Sequence, residues 1–193
     1  MRNELSRCDW AAGDPLMQAY HDKEWGVPLR DDRKLFEFLI LDGAQAGLSW
    51  RTILYRREGY RKAFHRFDAK RIARFGPKDV KRLLKDPGII RNRLKILSTI
   101  QNAKAYLRLK EEKGSFSDYL WSFVKNEPIR ARCRRYREIR TTSPESDAMS
   151  KDLKKKGFNF VGSTICYAFM QAAGMVDDHL AGCFRVRSTL RHK

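Results

Sequence analysis

The chain lacks any apolar run approaching the ~20 residues needed to span a bilayer, and no polybasic segment adjoins such a run, which leaves little support for a membrane role. The stretch from Met1 to Arg7 has no apolar core of the kind a secretory signal needs. Cysteine is scarce, with four residues, Cys8, Cys133, Cys166 and Cys183. A cytoplasmic protein is expected, its cysteines serving as thiols or metal ligands and not as disulfides. Acidic residues are also few: 23 against 41 basic ones give a net charge of +18 over 193 residues. That excess exceeds what solubility needs and points to a polyanion, nucleic acid before an anionic membrane surface. Internal repeats, low-complexity segments and long linkers are missing, so 1–193 reads as one folded unit. Strand signals are sparse, Phe158-Asn159-Phe160-Val161 being the best and a short one, and the fold class is all-α.

What is present is a core and a series of helix punctuation marks. Eleven Phe, seven Tyr and four Trp argue against a disordered basic tail. Asp14-Pro15 opens a short helix through Met17 and Tyr20, and Asp31-Asp32 begins another through Leu35 and Leu39. Ser49 caps a third helix bearing Ile53, Leu54 and Phe64, which Gly59 is expected to interrupt. Asp68 caps a short piece closed by Gly76, and Pro77 starts a helix with Val80, Leu83 and Leu84. A long helix follows from about Arg91 to Glu112, with Gly114 as its stop. Ser143-Pro144 and Gly157 bracket another helix, and residues 162–174 form a last, apolar one.

The stretch Leu39 to Trp50 combines apolar and small residues with one carboxylate, Asp42, one amide, Gln45, and one indole, Trp50. Two readings stand level here. Either Asp42-Gly43 merely ends a helix, or a buried carboxylate sits in a pocket, where it needs a cation or hydrogen-bond donors.

Leu83 to Arg91 places a Pro-Gly turn between two helices, with Gly88 expected to take the positive φ that closes it. The free N–H groups at the start of the next helix form an anion site. Ile89 and Ile90 would fix the helix crossing, and Arg91, Arg93 and Lys95 would add charge. This pattern, near 77–112, is that of a helix-hairpin-helix, a backbone clamp that positions a protein on DNA without reading sequence. A second basic run, Ile129 to Arg140, holds six arginines and a tyrosine. On its own it reads as a solvated face, and any function it has would be added backbone contact.

His179 and Cys183 lie four apart and would share one face of a helix; Cys8 and His21 lie near the other end of the chain. Together they suffice for a closed tetrahedral zinc site joining the two ends. Two buried cysteines and two structural histidines would explain them as well.

In order from Cys8 to Cys183, the chain resembles the 3-methyladenine DNA glycosylase I family. The likeness rests on Cys8-Asp9-Trp10, Asp14-Pro15-Leu16, the run from Ala19 to Pro28, Gln45-Ala46-Gly47-Leu48-Ser49-Trp50, Gly88-Ile89-Ile90-Arg91, Leu120 to Val124, Phe160 to Tyr167, and Asp178-His179 with Cys183. The resemblance implies a helix-hairpin-helix fold that excises N3-methyladenine from alkylated double-stranded DNA as a monomer, in the cytoplasm with the nucleoid. It implies a structural zinc held by Cys8, His21, His179 and Cys183. It implies a base pocket of Trp10, Tyr20, Trp50 and Asp42, with Met17 and Gln45 beside them, and DNA contacts from Leu48, Ser49, Gly88, Ile90, Arg91, Arg93 and Lys95. Leu48 falls where the family's loop probes the gap left by the extruded base. Two positions depart from the pattern. Asp42 stands where the family usually has Glu, which shortens its reach by about 1.5 Å, and Met17 stands where many members have Tyr.

These parts suggest a mechanism. A methylated purine that pairs poorly is cheaper to flip, and its positive charge favours an aromatic cage with Asp42 as the counter-charge and catalytic residue. Water would be the nucleophile; no residue stands out as general base. The rivals are a damaged-DNA-binding module without catalysis and a glycosylase for another alkylated base.

Overall fold

The computed structural model describes residues 6–189, so most of the stretch read above for a leader lies outside them. Helices dominate: α1 (Pro15–Lys23), α2 (Asp32–Gln45), α3 (Trp50–Ala63), α4 (Ala69–Ile72), α5 (Pro77–Lys85), α6 (Arg93–Lys113), α7 (Phe116–Ser122), α8 (Pro144–Lys155), α9 (Ser163–Ala172) and α10 (Phe184–Thr189). The all-α expectation holds, apart from one pair of two-residue parallel strands, β1 (Ile129–Arg130) and β2 (Val176–Asp177).

The helix starts follow from capping chemistry. The side chains of Asp14, Ser49, Asp68, Ser115 and Ser143 each accept a hydrogen bond from a backbone N–H of the first turn they precede. Asn92 does the same for α6, taking the Lys95 N–H at 3.1 Å. At the other end Gly114, at φ +79°, turns the chain out of α6.

α2 is the axis of the fold. Every residue from Leu35 to Ala44 is buried, as expected of a helix surrounded on all sides. α3, α6, α7 and α9 pack around it. The core reaches from Cys8 to Cys183, so the two ends of the chain share it.

Two expectations need correction. The alternation at Phe158 to Val161 does not make a strand. Phe158 and Val161 are both buried, a spacing of three that a strand would put on opposite faces, and the backbone of Asn159 between them is held by one side chain. Asn102 on α6 accepts the Asn159 N–H at 2.7 Å and donates to its carbonyl at 2.9 Å, taking the place of a neighbouring strand. Gly59 does not interrupt α3 either, which runs unbroken to Ala63.

Candidate active site

α1 and α3 are locked together by the α1 cap. Besides accepting the Leu16 N–H at 2.9 Å, the Asp14 carboxylate receives Arg51 Nε at 2.7 Å and the Tyr55 hydroxyl at 3.3 Å, both from α3. This brings the rings of Tyr20 and Trp50 to 5.2 Å between centroids. Trp10, on the turn before α1, lies 6.3 Å from Tyr20 and 5.0 Å from Trp25. Together with Met17, Asp42 and Gln45 these rings line a cavity of about 540 Å³. The level choice at Asp42-Gly43 is thereby decided: α2 continues past both residues, and Asp42 faces the pocket.

Asp42 is 2 % exposed and its Oδ2 has no hydrogen-bond partner. Burial alone pushes its carboxyl well above the usual range. Trp50 Nε1, in the same wall, is a buried donor with no acceptor. Each unsatisfied group of this kind costs ~1–3 kcal/mol. The cavity therefore carries one free acceptor and one free donor between aromatic faces, the complement of a planar heterocycle with both on its edge. A larger groove of about 960 Å³ beside α5 and α6 contains no acid and no unpartnered buried polar atom.

Leu48 lies exposed on the loop between α2 and α3, after Gly47 at φ +76°, and Ser49 caps α3 beside the cavity. The turn joining α5 to α6 is tight. Asp86 Oδ1 accepts the Gly88 N–H at 2.8 Å, Ile89 is buried, and the half-buried Ile90 donates its N–H to the Tyr60 hydroxyl at 3.3 Å. Arg91 and Arg93 are exposed at the head of α6. Gly88 is needed for a different reason from the one expected. Its φ lies outside the left-handed region, and its backbone packs directly on Gly59 of α3. Lys95 is also corrected. It is buried, and its Nζ donates to the carbonyls of Ala44 and Ala46 at 2.7 Å each, so it caps the end of α2 and does not face a phosphate.

The ligand atoms of Cys8, His21 and Cys183 all lie within 4.8 Å of one another. His179 does not share a helical face with Cys183, because residues 178–183 are an irregular turn. Its ring nonetheless sits 5.0 Å from that of His21, and its Nε2 is buried without a partner. Each histidine has its Nδ1 on a carboxylate, His21 on Asp22 at 2.9 Å and His179 on Asp177 at 2.8 Å, which turns the His21 Nε2 toward the cluster, 3.4 Å from Cys183 Sγ, and leaves the His179 Nε2 without a partner. Hydrogen bonding from Cys8, with that to His21, pulls the Cys183 thiol below its usual range, so a thiolate is favoured in this cluster.

Sequence reasoning missed part of the pocket. Trp25 lines it and also packs on His179 at 4.5 Å, joining cavity to cluster. Tyr167 and Gln171 of α9 line it while donating to Asp178 at 2.9 and 2.7 Å. The motifs holding these residues were visible, but nothing in their spacing assigned them to a cavity.

A family model for methyladenine glycosylase matches residues 10–186. The chain belongs to the methyladenine glycosylase family. Among its relatives, the DNA-3-methyladenine glycosylase 1 of Escherichia coli strain K12 is 52% identical over 179 residues, covering 93% of this chain and 96% of the relative. The DNA-3-methyladenine glycosylase of Haemophilus influenzae is 48% identical over 178 residues, covering 92% and 96%. A crystal structure of a 3-methyladenine DNA glycosylase I superposes with TM-score 0.91 at 55% identity, covering 93% of this chain and 98% of that one. The Staphylococcus aureus 3-methyladenine DNA glycosylase I, solved to explain 3-methyladenine recognition, gives TM-score 0.90 at 37% identity, covering 93% and 96%. The fold of this methyladenine glycosylase is thus that of its solved relatives, and Trp10, Tyr20 and Trp50 line its cavity together with Asp42.

Proposed function

We propose that this chain is a DNA-3-methyladenine glycosylase, hydrolysing the bond between deoxyribose and N3-methyladenine in alkylated DNA. The observation that carries the reading is Asp42: a buried carboxyl with a free oxygen, facing a cavity of aromatic rings and paired with no cation, the arginines of that cavity, Arg51 and Arg140, lying on its exposed side. A neutral ligand would leave that group poorly served. A purine methylated at N3 is positively charged, supplies the missing counter-charge, and gains cation–π attraction from the rings. Trp50 Nε1 provides a donor for an acceptor on the base edge.

The base must leave the duplex to enter such a cavity, which favours lesions that pair poorly. The glycosidic bond then breaks with its electron pair going to the base, which departs neutral, and water adds to the sugar carbon to leave an abasic site. A leaving group of this kind needs no general acid. The role of Asp42 is to hold the charged base in preference to intact adenine. The α5–turn–α6 pair acts as a helix-hairpin-helix clamp on double-stranded DNA, using Gly88, Ile90, Arg91 and Arg93, while Leu48 and Ser49 face the gap left by the extruded base. No helix among the described residues is long and apolar enough to cross a membrane. The reading is of a cytoplasmic enzyme working on the nucleoid as a monomer.

The group of Cys8, His21 and Cys183, with the unpartnered Nε2 of His179 as the fourth donor beside it, fits zinc: two sulfurs and two nitrogens, buried, with both histidines oriented by carboxylates. When bound, the ion would be structural, since four protein ligands leave no place for an activated water. The chain's own residues then carry its effect, because Trp25 transmits the position of His179 to the base cavity.

The test is base release. Protein incubated with methylated duplex should liberate 3-methyladenine, identified by chromatography. Asp42→Asn should greatly slow release and Asp42→Glu should keep it. DNA binding with no release would instead make the chain a damage-binding module, and release of a different base would make it an enzyme of another specificity, set by the shorter Asp42 and by Met17.

A further inference from the structure

The arginine-rich run does not lie apart from the active site; it forms one side of its mouth. Tyr136, Ile139, Arg140 and Thr141 line the same cavity as Trp10, Asp42 and Trp50. The segment is placed by backbone hydrogen bonds at its beginning. β1 pairs with β2, the Ala131 N–H reaches the Asp177 carbonyl at 3.2 Å, and the Cys133 carbonyl accepts the Ala181 N–H at 2.9 Å, burying Cys133. Beyond Cys133 the chain comes back to the cavity, where Ile139 is half-buried and Tyr136, Arg140 and Thr141 are exposed at its edge. Tyr136 is 63 % exposed, and all six arginines of 130–140 are exposed.

Those charges are not consumed by ion pairs of the fold. Arg7, Arg51, Arg57, Arg61 and Arg82 form ion pairs, whereas none of these six does so among the described residues. The segment's one acid, Glu138, is spent on the backbone N–H groups of Arg134 and Arg135, at 2.8 and 3.3 Å. Six like charges within eleven residues repel one another unless an anion lies among them. At the rim of a pocket that takes an extruded base, the anion at hand is the phosphodiester chain on either side of the extruded nucleotide.

We propose that segment 130–140 is a second DNA clamp, across the cavity from α3, in which Arg134, Arg137 and Arg140 hold the phosphates flanking the flipped nucleotide and Tyr136 packs on its exposed sugar or on a neighbouring base. The proposal rests on the glycosylase reading. It differs from the hairpin clamp in acting where the strand is distorted, so it favours the flipped state over intact duplex.

The test uses the full chain with Arg134, Arg137 and Arg140 all changed to Gln, and a companion with all three changed to Lys. Affinity is measured against salt for a duplex carrying a tetrahydrofuran abasic-site analogue and for the same duplex undamaged; binding of free 3-methyladenine is measured separately. On the abasic duplex the salt slope of the Gln variant should become shallower by about two to three, at about 0.9 for each phosphate no longer neutralised. The weakening should be smaller on undamaged duplex, the Lys variant should keep the slope, and free 3-methyladenine should bind as before. An unchanged slope on the abasic duplex, or an equal weakening on both duplexes, overturns the proposal. Failure of the glycosylase reading shows up elsewhere, as wild-type protein that neither binds nor releases 3-methyladenine.

Discussion

A Cβ added to Gly59 would lie 2.7 Å from the carbonyl carbon of Gly88, so the backbone of α3 and the turn between α5 and α6 are in direct contact. Real Cβ atoms do not come that close, and the neighbour is backbone, which cannot swing aside. Gly59→Ala should gain up to ~1 kcal/mol of helix propensity yet lose ~1–3 kcal/mol to overpacking. The expected result is a net fall in the urea midpoint and weaker duplex binding, with free 3-methyladenine binding unaffected. A variant that is more stable and binds duplex as well as wild type would show that the contact does not position the hairpin.

Lys95 is the second link between hairpin and pocket. From the first turn of α6 it holds the carbonyls of Ala44 and Ala46, just beyond Asp42 and just ahead of Leu48. Lys95→Met leaves two carbonyls at the end of α2 without their charged donor, a loss of ~1–3 kcal/mol. Stability and excision should both fall. The salt slope of duplex binding should stay where it is, because the ammonium meets no phosphate; a slope reduced by about one would return Lys95 to the DNA surface.

Helix starts were legible because a cap is a local event: Asp14-Pro15, Ser49 and Ser143-Pro144 satisfy donors two or three residues away. Their readings carried over nearly to the residue. What failed was long-range. Lys95 and Arg93 look alike in sequence, yet only the approach of α2 decides which is buried. Phe158 to Val161 reads as a short strand, but the backbone of Asn159 is satisfied by a single amide, Asn102, 57 residues away. The arginine run announced its charge but not its place, since a two-residue pairing with Val176–Asp177 sets where it lies. Gly59 was seen as a weakness of α3 because the gain it brings belongs to another element. In the site, Asp42 and Trp50 stood out from the sequence as pocket candidates and Trp10 and Tyr20 joined them by likeness to a family; the free oxygen of Asp42 and the free N–H of Trp50 depend on the packing around them.

Removing metal should loosen both ends of the chain together. Purified protein is expected to hold one zinc per chain by elemental analysis. Cys183→Ser and Cys8→Ser should each lose it and melt several degrees lower, at roughly 2–4 °C per kcal/mol for a chain of this size. The double variant should be little worse than either single one, as for residues acting through one ion. Cys133→Ser, at a buried thiol outside the cluster, should keep its zinc. Full metal content in Cys183→Ser would refute the assignment.

Asp42 should trade stability for function in a way that depends on pH. Its carboxyl is raised from 3.8 by burial, so between 3.8 and the higher folded value the folded chain binds a proton that the unfolded chain has released. Stability then falls as pH rises through that window. The contribution is whole below 3.8 and is lost at higher pH, the reverse of a salt-bridged aspartate. Asp42→Asn keeps the shape and removes the titration. Its melting temperature should match wild type near pH 4 and exceed it increasingly toward pH 8. Excision should move the other way. A neutral amide no longer offers a counter-charge to a cationic base, and the loss of one charged hydrogen bond, ~1.5–3 kcal/mol, corresponds to about 10- to 100-fold in single-turnover rate. Asp42→Asn with undiminished excision would remove the carboxylate from lesion recognition. A variant no more stable at pH 8 than at pH 4, relative to wild type, would mean that Asp42 finds a partner in solution.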